Sequence, residues 1–448
     1  MTRMTRVLVA DGDVETINDV SGKLRARGFV NLLEMSGEET VARARSERPD
    51  VVVLGCSFGD LSTEQIVADL RADATTRHTP ILLAVPAGNL PTWSDTMSAQ
   101  IDGFIPVPID EDDLFTHMTA ALRLKTMQSE LQRREITLQE LGNVPVDEAI
   151  DPTRTDDSAP VVMQINLGDA TSVVAAQLAE FATVDSISAI SPALERLVSE
   201  RPECVVLNGE PRGMLDACVD LRRNPALFHM PVLVVLPPNS PNGEEAAAYR
   251  AGASEVMRLP LDKAELHARI GIMTRQERMR SHMLTAYRAK LTDNAHDSAT
   301  GLYSEEFLTK HLEQLTEDAF RWDKNLSIMA ISLPGMERMA KDSGAKSVDS
   351  LFRQVATIVS QLVRGEDLCA LLGENRIAVV LPESALEATA VTMQRVIGVI
   401  SFTEFAVSGT NMPVAIRPEI GSAEFRPGDT GAELLERAVA SAATSQAA

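Results

Sequence analysis

ERPDVVVLG at residues 47–55 returns in altered form as ERPECVVLN at 200–208. Each copy leads from a charged, proline-containing turn into a short apolar run. Runs this short and this rich in valine and leucine read as strands covered on both faces. Around the first copy stand RVLVAD (6–11), TPILLAV (79–85) and GFIPVP (103–108). Around the second stand PVVMQIN (160–166), MPVLVVLPP (230–238) and SEVMRLP (254–260), at similar spacings. VPIDEDDL and LPLDKAEL then follow equivalent last strands. Helical stretches separate the runs, so each copy predicts a parallel sheet wrapped by helices. A repeat of about 150 residues means two copies of one domain rather than a solenoid.

Outward from the repeat, a helical pattern covers 110–142. VPVDEAIDPTRTDDSAP (144–160) has proline and aspartate but no helical period, and reads as a linker. A second long helix is expected over 261–294. The expected division is a first α/β domain at 1–125, helix and linker at 126–158, a second α/β domain at 159–275, a connector helix at 276–294 and a third domain at 295–448. Either long helix suits a homodimer contact.

The chain has 448 residues, 44% of them apolar, and a formal net charge of -22. That balance argues against nucleic acid or anionic lipid as a general partner, so an anionic ligand needs a local arginine cluster. Cys56, Cys204, Cys218 and Cys369 form no paired spacing, so neither a disulfide framework nor a zinc site is expected. No signal-peptide pattern and no long apolar run stands out, so a cytoplasmic protein without membrane insertion is expected.

The two repeats resemble response-regulator receiver domains of the flavodoxin-like class. That family needs acids after the first strand for a metal, an aspartate acceptor after the third, a hydroxyl after the fourth and a lysine after the fifth. In the first copy Asp11 and Asp13 keep the metal region, but the other positions fall on Gly55, Val85 and Val107. In the second copy the first strand ends at Asn166-Leu167, and the other positions fall on Asn208, Leu236 and Leu259. Phosphoaspartate chemistry is therefore not expected at either usual position. Asp60 and Asp169 are weak substitutes. Asp11 and Asp13 read as solvated loop acids before they read as metal ligands.

The third domain resembles the GGDEF diguanylate cyclases in four ordered segments: DSATGLYSEEFL (297–308), LSIMAISLPGMERM (326–339), VRGEDLCALLGENRIAVVLPE (363–383) and EIGSAEFRPGDTGAELLERA (419–438). The resemblance implies a mixed, mainly antiparallel sheet flanked by helices. It also implies where catalysis has been lost. The strand metal ligand falls on Ser332, and the signature reads Gly373-Glu374-Asn375-Arg376-Ile377, with its metal carboxylate replaced by Asn375. A guanine contact falls on Ala340, although Asp349 keeps the second. A phosphate lysine falls on Gln446. No catalytic residue and no metal are expected.

The family's inhibitory RxxD site survives in register as Arg364-Gly365-Glu366-Asp367, with Asp367 six residues before Gly373 opens the signature. Arginine can meet guanine or phosphate in a fork, and aspartate can accept a guanine N–H. Gly365 would allow close approach, and Arg395 resembles a secondary arginine of that site. RxxD alone is weak: Arg154/Asp157 and Arg426/Asp429 also match, and only register separates them.

Two receiver-like domains followed by a GGDEF domain that has lost catalysis resemble the PopA type of cyclic-di-GMP receptor. The resemblance implies cyclic-di-GMP as ligand and no cofactor. It also implies placement at the cell pole and protein partners such as proteolysis adaptors and cell-cycle regulators. The alternatives are a ligand-free partner-binding pseudoenzyme and a residual GTP-binding or cyclase domain.

Overall fold

The computed structural model describes residues 5–86, 100–142, 158–168, 172–224, 226–241, 243–289, 295–373, 375–407 and 413–444. It divides into two compact units: 4–125 with 152–282, and 126–151 with 283–448.

In the first unit, the first sheet is built from β1 (Arg6–Ala10), β2 (Val30–Glu34), β3 (Val51–Leu54), β4 (Ile81–Pro86) and β5 (Gly103–Val107). Its helices are α1 (Val14–Ala26), α2 (Gly37–Glu47), α3 (Thr63–Ala72) and the first half of α4 (Glu111–Glu140), whose residues 126–140 belong to the second unit. All strands are parallel, in the order β2-β1-β3-β4-β5. Alternate residues explain the unbroken apolar runs. Val7, Val9, Val51 and Val53 join one core with α1, while Leu8, Ala10, Val52 and Leu54 join another with α2 and α3. Each strand feeds two cores, so every position is selected for burial.

The repeat supplies β6 (Val161–Leu167), α5 (Ser172–Leu178), β7 (Thr183–Ile187), α6 (Ile190–Glu200), β8 (Cys204–Gly209), α7 (Pro211–Arg223), β9 (Val232–Leu236), α8 (Glu244–Ala251), β10 (Glu255–Arg258) and α9 (Lys263–Ala289). Its sheet order, β7-β6-β8-β9-β10, is that of the first copy. The two copies share a boundary. Ile272 of α9 enters the first copy's core, and Gln276 donates to the Asp102 carbonyl at 2.8 Å. His117 of α4 lies buried beside Asp113 and Glu255, and Arg269 pairs with Glu255.

The second unit contains the rest of the chain: α10 (Glu305–Trp322), β11 (Leu326–Ser332), α11 (Met336–Ser343), α12 (Ala345–Leu362), β12 (Leu368–Leu371), β13 (Arg376–Pro382), α13 (Leu386–Ser401), β14 (Glu404–Phe405), β15 (Val414–Ala415), β16 (Glu419–Glu424) and α14 (Gly431–Thr444). The main sheet, β12-β13-β11-β16, is antiparallel. Met329, Ile331, Ile377 and Val379 face α12 and α13, while Ile328, Ala330, Ala378 and Val380 face α10 and α14. At Gly421 a Cβ would fall 2.2 Å from the Ala438 carbonyl oxygen, so α14 can sit this close to β16 only over glycine. Leu138, near the end of α4, belongs to the α10-side core. Among the described residues no helix is long and apolar enough to cross a membrane.

Candidate functional site

α12 ends where Val363 turns extended, and β12 begins at Leu368. Arg364–Asp367 makes the turn between them. The Asp367 N–H donates to the Arg364 carbonyl at 3.2 Å, and Asp367 Oδ2 accepts the Arg364 N–H at 2.8 Å. The aspartate thus staples the turn through the backbone and not through the Arg364 guanidinium. Asp367 is 6% exposed, and its Oδ1 has no hydrogen-bond partner among the described residues. Burial, then the neighbouring Glu366 charge, pushes its carboxyl up to about 7 from 3.8. The Arg364 N–H and the charges of Arg364 and Arg134 only partly oppose this.

The Arg364 guanidinium makes no ion pair or side-chain hydrogen bond among the described residues. Arg395 of α13 donates to the Leu362 carbonyl at the mouth of the same turn. Partial burial, then repulsion from Arg364, holds Arg395 below its ordinary value. The fold therefore brings Arg364, Asp367 and Arg395 together. The close approach at Gly365 is to protein: a Cβ there would meet Met127 Cε at 2.7 Å and a Leu284 methyl at 3.2 Å.

Arg426–Asp429 provides an internal control. Asp429 Oδ2 accepts the Arg426 N–H at 2.7 Å, and the Asp429 N–H donates to the Arg426 carbonyl at 2.9 Å. The turn is the same, but Asp429 is ion-paired with Arg437. RxxD therefore encodes a turn. What differs at 364–367 is the environment: a buried carboxylate with one unpartnered oxygen, facing Arg364 and Arg395 without an ion pair to either among the described residues.

Ser332 lies across from Arg376 on one side and Glu419 on the other. Asn375 sits at the turn with φ 57°. The Arg376 guanidinium folds to 3.2 Å from where a Gly373 Cβ would be, and the Gly373 N–H donates to Glu305 Oε2 at 3.0 Å. Ala340 packs against the apolar core, and Asp349 is exposed on α12. Glu374 and Gln446 lie outside the described residues. Among the described residues no group of three or more His, Cys, Asp or Glu is placed to hold a metal.

In the receiver-like copies other groups occupy the acceptor positions. A Cβ on Gly55 would fall 1.7 Å from Asp11 Oδ2, so the Asp11 carboxylate fills the acceptor's own space. It accepts N–H bonds from Asp13 and Ser57 there. Asp13 caps α1. Asp60 accepts from Ser36 Oγ and the N–H groups of Gly37 and Glu38, and these bonds hold its carboxyl far below the usual range. It is a cap for α2. Asn208 sits in a closed amide chain, receiving from Gln164 at 2.8 Å and donating to Asn166 at 2.9 Å. Val85 and Leu236 are buried, and Val107 and Leu259 each precede a cis proline. Asp169 lies outside the described residues. Gly55→Asp should therefore destabilise the first domain by about 1–3 kcal/mol through overcrowding. It should also gain no phosphoryl group from acetyl phosphate; a stable, phosphorylated variant in thermal melts and mass spectra would refute this.

One cluster was not anticipated from the sequence. Glu130 of α4 is fully buried. It accepts from Arg134 Nε at 2.9 Å and lies 2.7 Å from His311 Nε2, whose Nδ1 is 2.9 Å from Thr137 Oγ1. Arg133 joins it to Asp318 at 2.7 Å. The signal was present as acid–base pairs three and four residues apart, but exposed helices carry the same spacing.

Residues 294–447 match the family described as "Diguanylate cyclase, GGDEF domain". Over 440 residues the sequence is 24% identical to the response regulator PleD of Caulobacter vibrioides, covering 97% of this chain and 95% of that one. It is 26% identical over 121 residues to PilH of Pseudomonas aeruginosa, covering 27% of this chain and 98% of PilH. The crystal structure of the DgcB GGDEF domain from Caulobacter crescentus, in complex with c-di-GMP, is 22% identical. It covers 35% of this chain and 90% of that one, at a TM-score of 0.34. This chain carries a GGDEF domain homologous to diguanylate cyclases behind a receiver-like N-terminal region, the arrangement of a PleD-type response regulator.

Proposed function

We propose that this chain is a catalytically inactive effector that binds cyclic-di-GMP at the Arg364–Asp367 turn and passes that occupancy to protein partners. The observation that carries the reading is the buried Asp367 with an unpartnered Oδ1 beside Arg364 and Arg395. A buried polar oxygen without a partner costs about 1–3 kcal/mol. The Arg364 and Arg395 guanidiniums also repel each other. A ligand with N–H donors on one edge and phosphate or purine acceptors nearby relieves both, and a guanine dinucleotide has both.

Loss of catalysis follows from the hairpin. Attack of a hydroxyl on a triphosphate needs carboxylates to hold the metal. Ser332 and Asn375 stand at those positions. Arg376 places a cation opposite Ser332, and Glu305 places an anion on the Gly373 amide. The likeness to PopA-type receptors extends the proposal to recruitment of adaptors and cell-cycle regulators at the cell pole. The experiment is a pair of assays on the full chain. Incubation with GTP and Mg²⁺ or Mn²⁺ should yield no dinucleotide, while calorimetry should show saturable cyclic-di-GMP binding at micromolar Kd or tighter. Product formation, or a flat titration, overturns the reading.

A further inference from the structure

The turn at 364–367 is held from behind by α4. Arg134 is 4% exposed. Its guanidinium donates to the Glu366 carbonyl at 2.6 Å, is paired with buried Glu130, and lies 5.6 Å from the centre of the Tyr303 ring. Tyr303 in turn brackets β12, the strand that leaves the turn. Its N–H donates to the Cys369 carbonyl at 3.0 Å, and its carbonyl accepts the Leu371 N–H at 2.8 Å. Two turns earlier on α4, Met127 seats against Gly365. Tyr303, Phe307 and His311 stack along α10, with centroids 4.4 and 5.4 Å apart, so Arg134 and Glu130 meet the two ends of one rigid aromatic row.

These contacts act on the backbone of the turn. An arginine fork fixed by a carboxylate on one side has little freedom left, so it holds the carbonyl it meets. The Glu366 carbonyl precedes the Asp367 peptide. Releasing it would free the peptide that keeps Asp367 buried and aligned with Arg364.

We propose that Arg134 is a positioning residue for the Arg364/Asp367 site, so that docking of the 126–140 segment and occupation of the site reinforce each other. The proposal rests on the reading of that turn as a cyclic-di-GMP site. Coupling of this kind is reciprocal: if the docked segment tightens binding, the bound ligand must hold the segment down by the same factor.

The test uses the full chain and cyclic-di-GMP. By calorimetry, Arg134→Gln should bind at least about tenfold more weakly than wild type, with Arg134→Lys in between, because lysine keeps the charge but loses the fork. Hydrogen exchange on the wild type supplies a readout that does not depend on a variant folding. Ligand should slow exchange at 126–140 by a larger factor than at β11. If wild type binds, Arg364→Ala does not, and Arg134→Gln binds like wild type, the positioning role fails while the ligand site stands. Unchanged protection of 126–140 on binding also overturns it. If wild type itself does not bind, both proposals fall together.

Discussion

Arg364→Ala should bind cyclic-di-GMP at least about a hundredfold more weakly than wild type, a loss of about 2.7 kcal/mol. The magnitude is that of removing one partner from a desolvated charge contact. Arg426→Ala should leave the affinity unchanged, although it removes the same residue from the same turn. That contrast separates motif from environment, and equal losses in the two variants would sink the assignment. The pH dependence follows from Asp367. Its carboxyl is raised to about 7 by burial and Glu366, so below neutrality the free protein holds a proton there. A protonated acid cannot receive a guanine N–H as a carboxylate does. Binding should therefore release up to one proton near pH 7, and affinity should fall by about tenfold per pH unit below it. In the ligand-free protein the sign for stability is the reverse. A raised acid contributes most below its ordinary value of 3.8 and loses that contribution as pH rises toward 7. Asp367→Asn should bind weakly and flatten the profile. Titrations in buffers of different ionisation heat measure the proton directly, and a wild-type affinity independent of pH would contradict the role given to Asp367.

The second large effect is structural. Glu130→Leu should destabilise the C-terminal unit by about 3–5 kcal/mol, because it leaves Arg134 buried without its carboxylate. Burial alone would raise the Glu130 carboxyl, yet His311 and then Arg134 hold it at about 2. A depressed acid contributes stability above its unfolded value of 4.5 and loses it as pH falls toward 2. The wild type should thus lose this contribution in acid, and the variant should not. Trp322 lies in α10, and Trp93 is the other tryptophan. In a Trp93→Phe background, denaturant unfolding followed by fluorescence therefore reports on this unit. Adding Arg134→Met to Glu130→Leu should recover part of the loss, since apolar replacement of a whole buried pair is often neutral or better. Additive losses in the double variant would show that the two side chains do not act as a pair.

Much of this was legible in the residues. ERPDVVVLG and ERPECVVLN specify buried parallel strands because each strand feeds two cores, and both sheets are parallel. The antiparallel sheet and its flanking helices also follow from the four GGDEF-like segments. At the candidate site, the residue types and register placed Arg364 and Asp367. Asp367 spends one oxygen on the Arg364 backbone N–H and makes no ion pair with the Arg364 guanidinium among the described residues.

Chain-local physics could be read from sequence alone: strand periodicity and the RxxD turn. These depend on neighbours a few residues away. Which of two identical turns carries an unsatisfied carboxylate depends on what packs over it from afar. Arg437 neutralises Asp429. At the 364–367 turn Met127 packs against Gly365 and Arg134 holds the Glu366 carbonyl, both more than two hundred residues earlier in the chain, with Glu130 pairing Arg134 and His311 contacting Glu130. Burial is a property of the assembled core, so only the tertiary structure could turn a common four-residue motif into a charged, desolvated site.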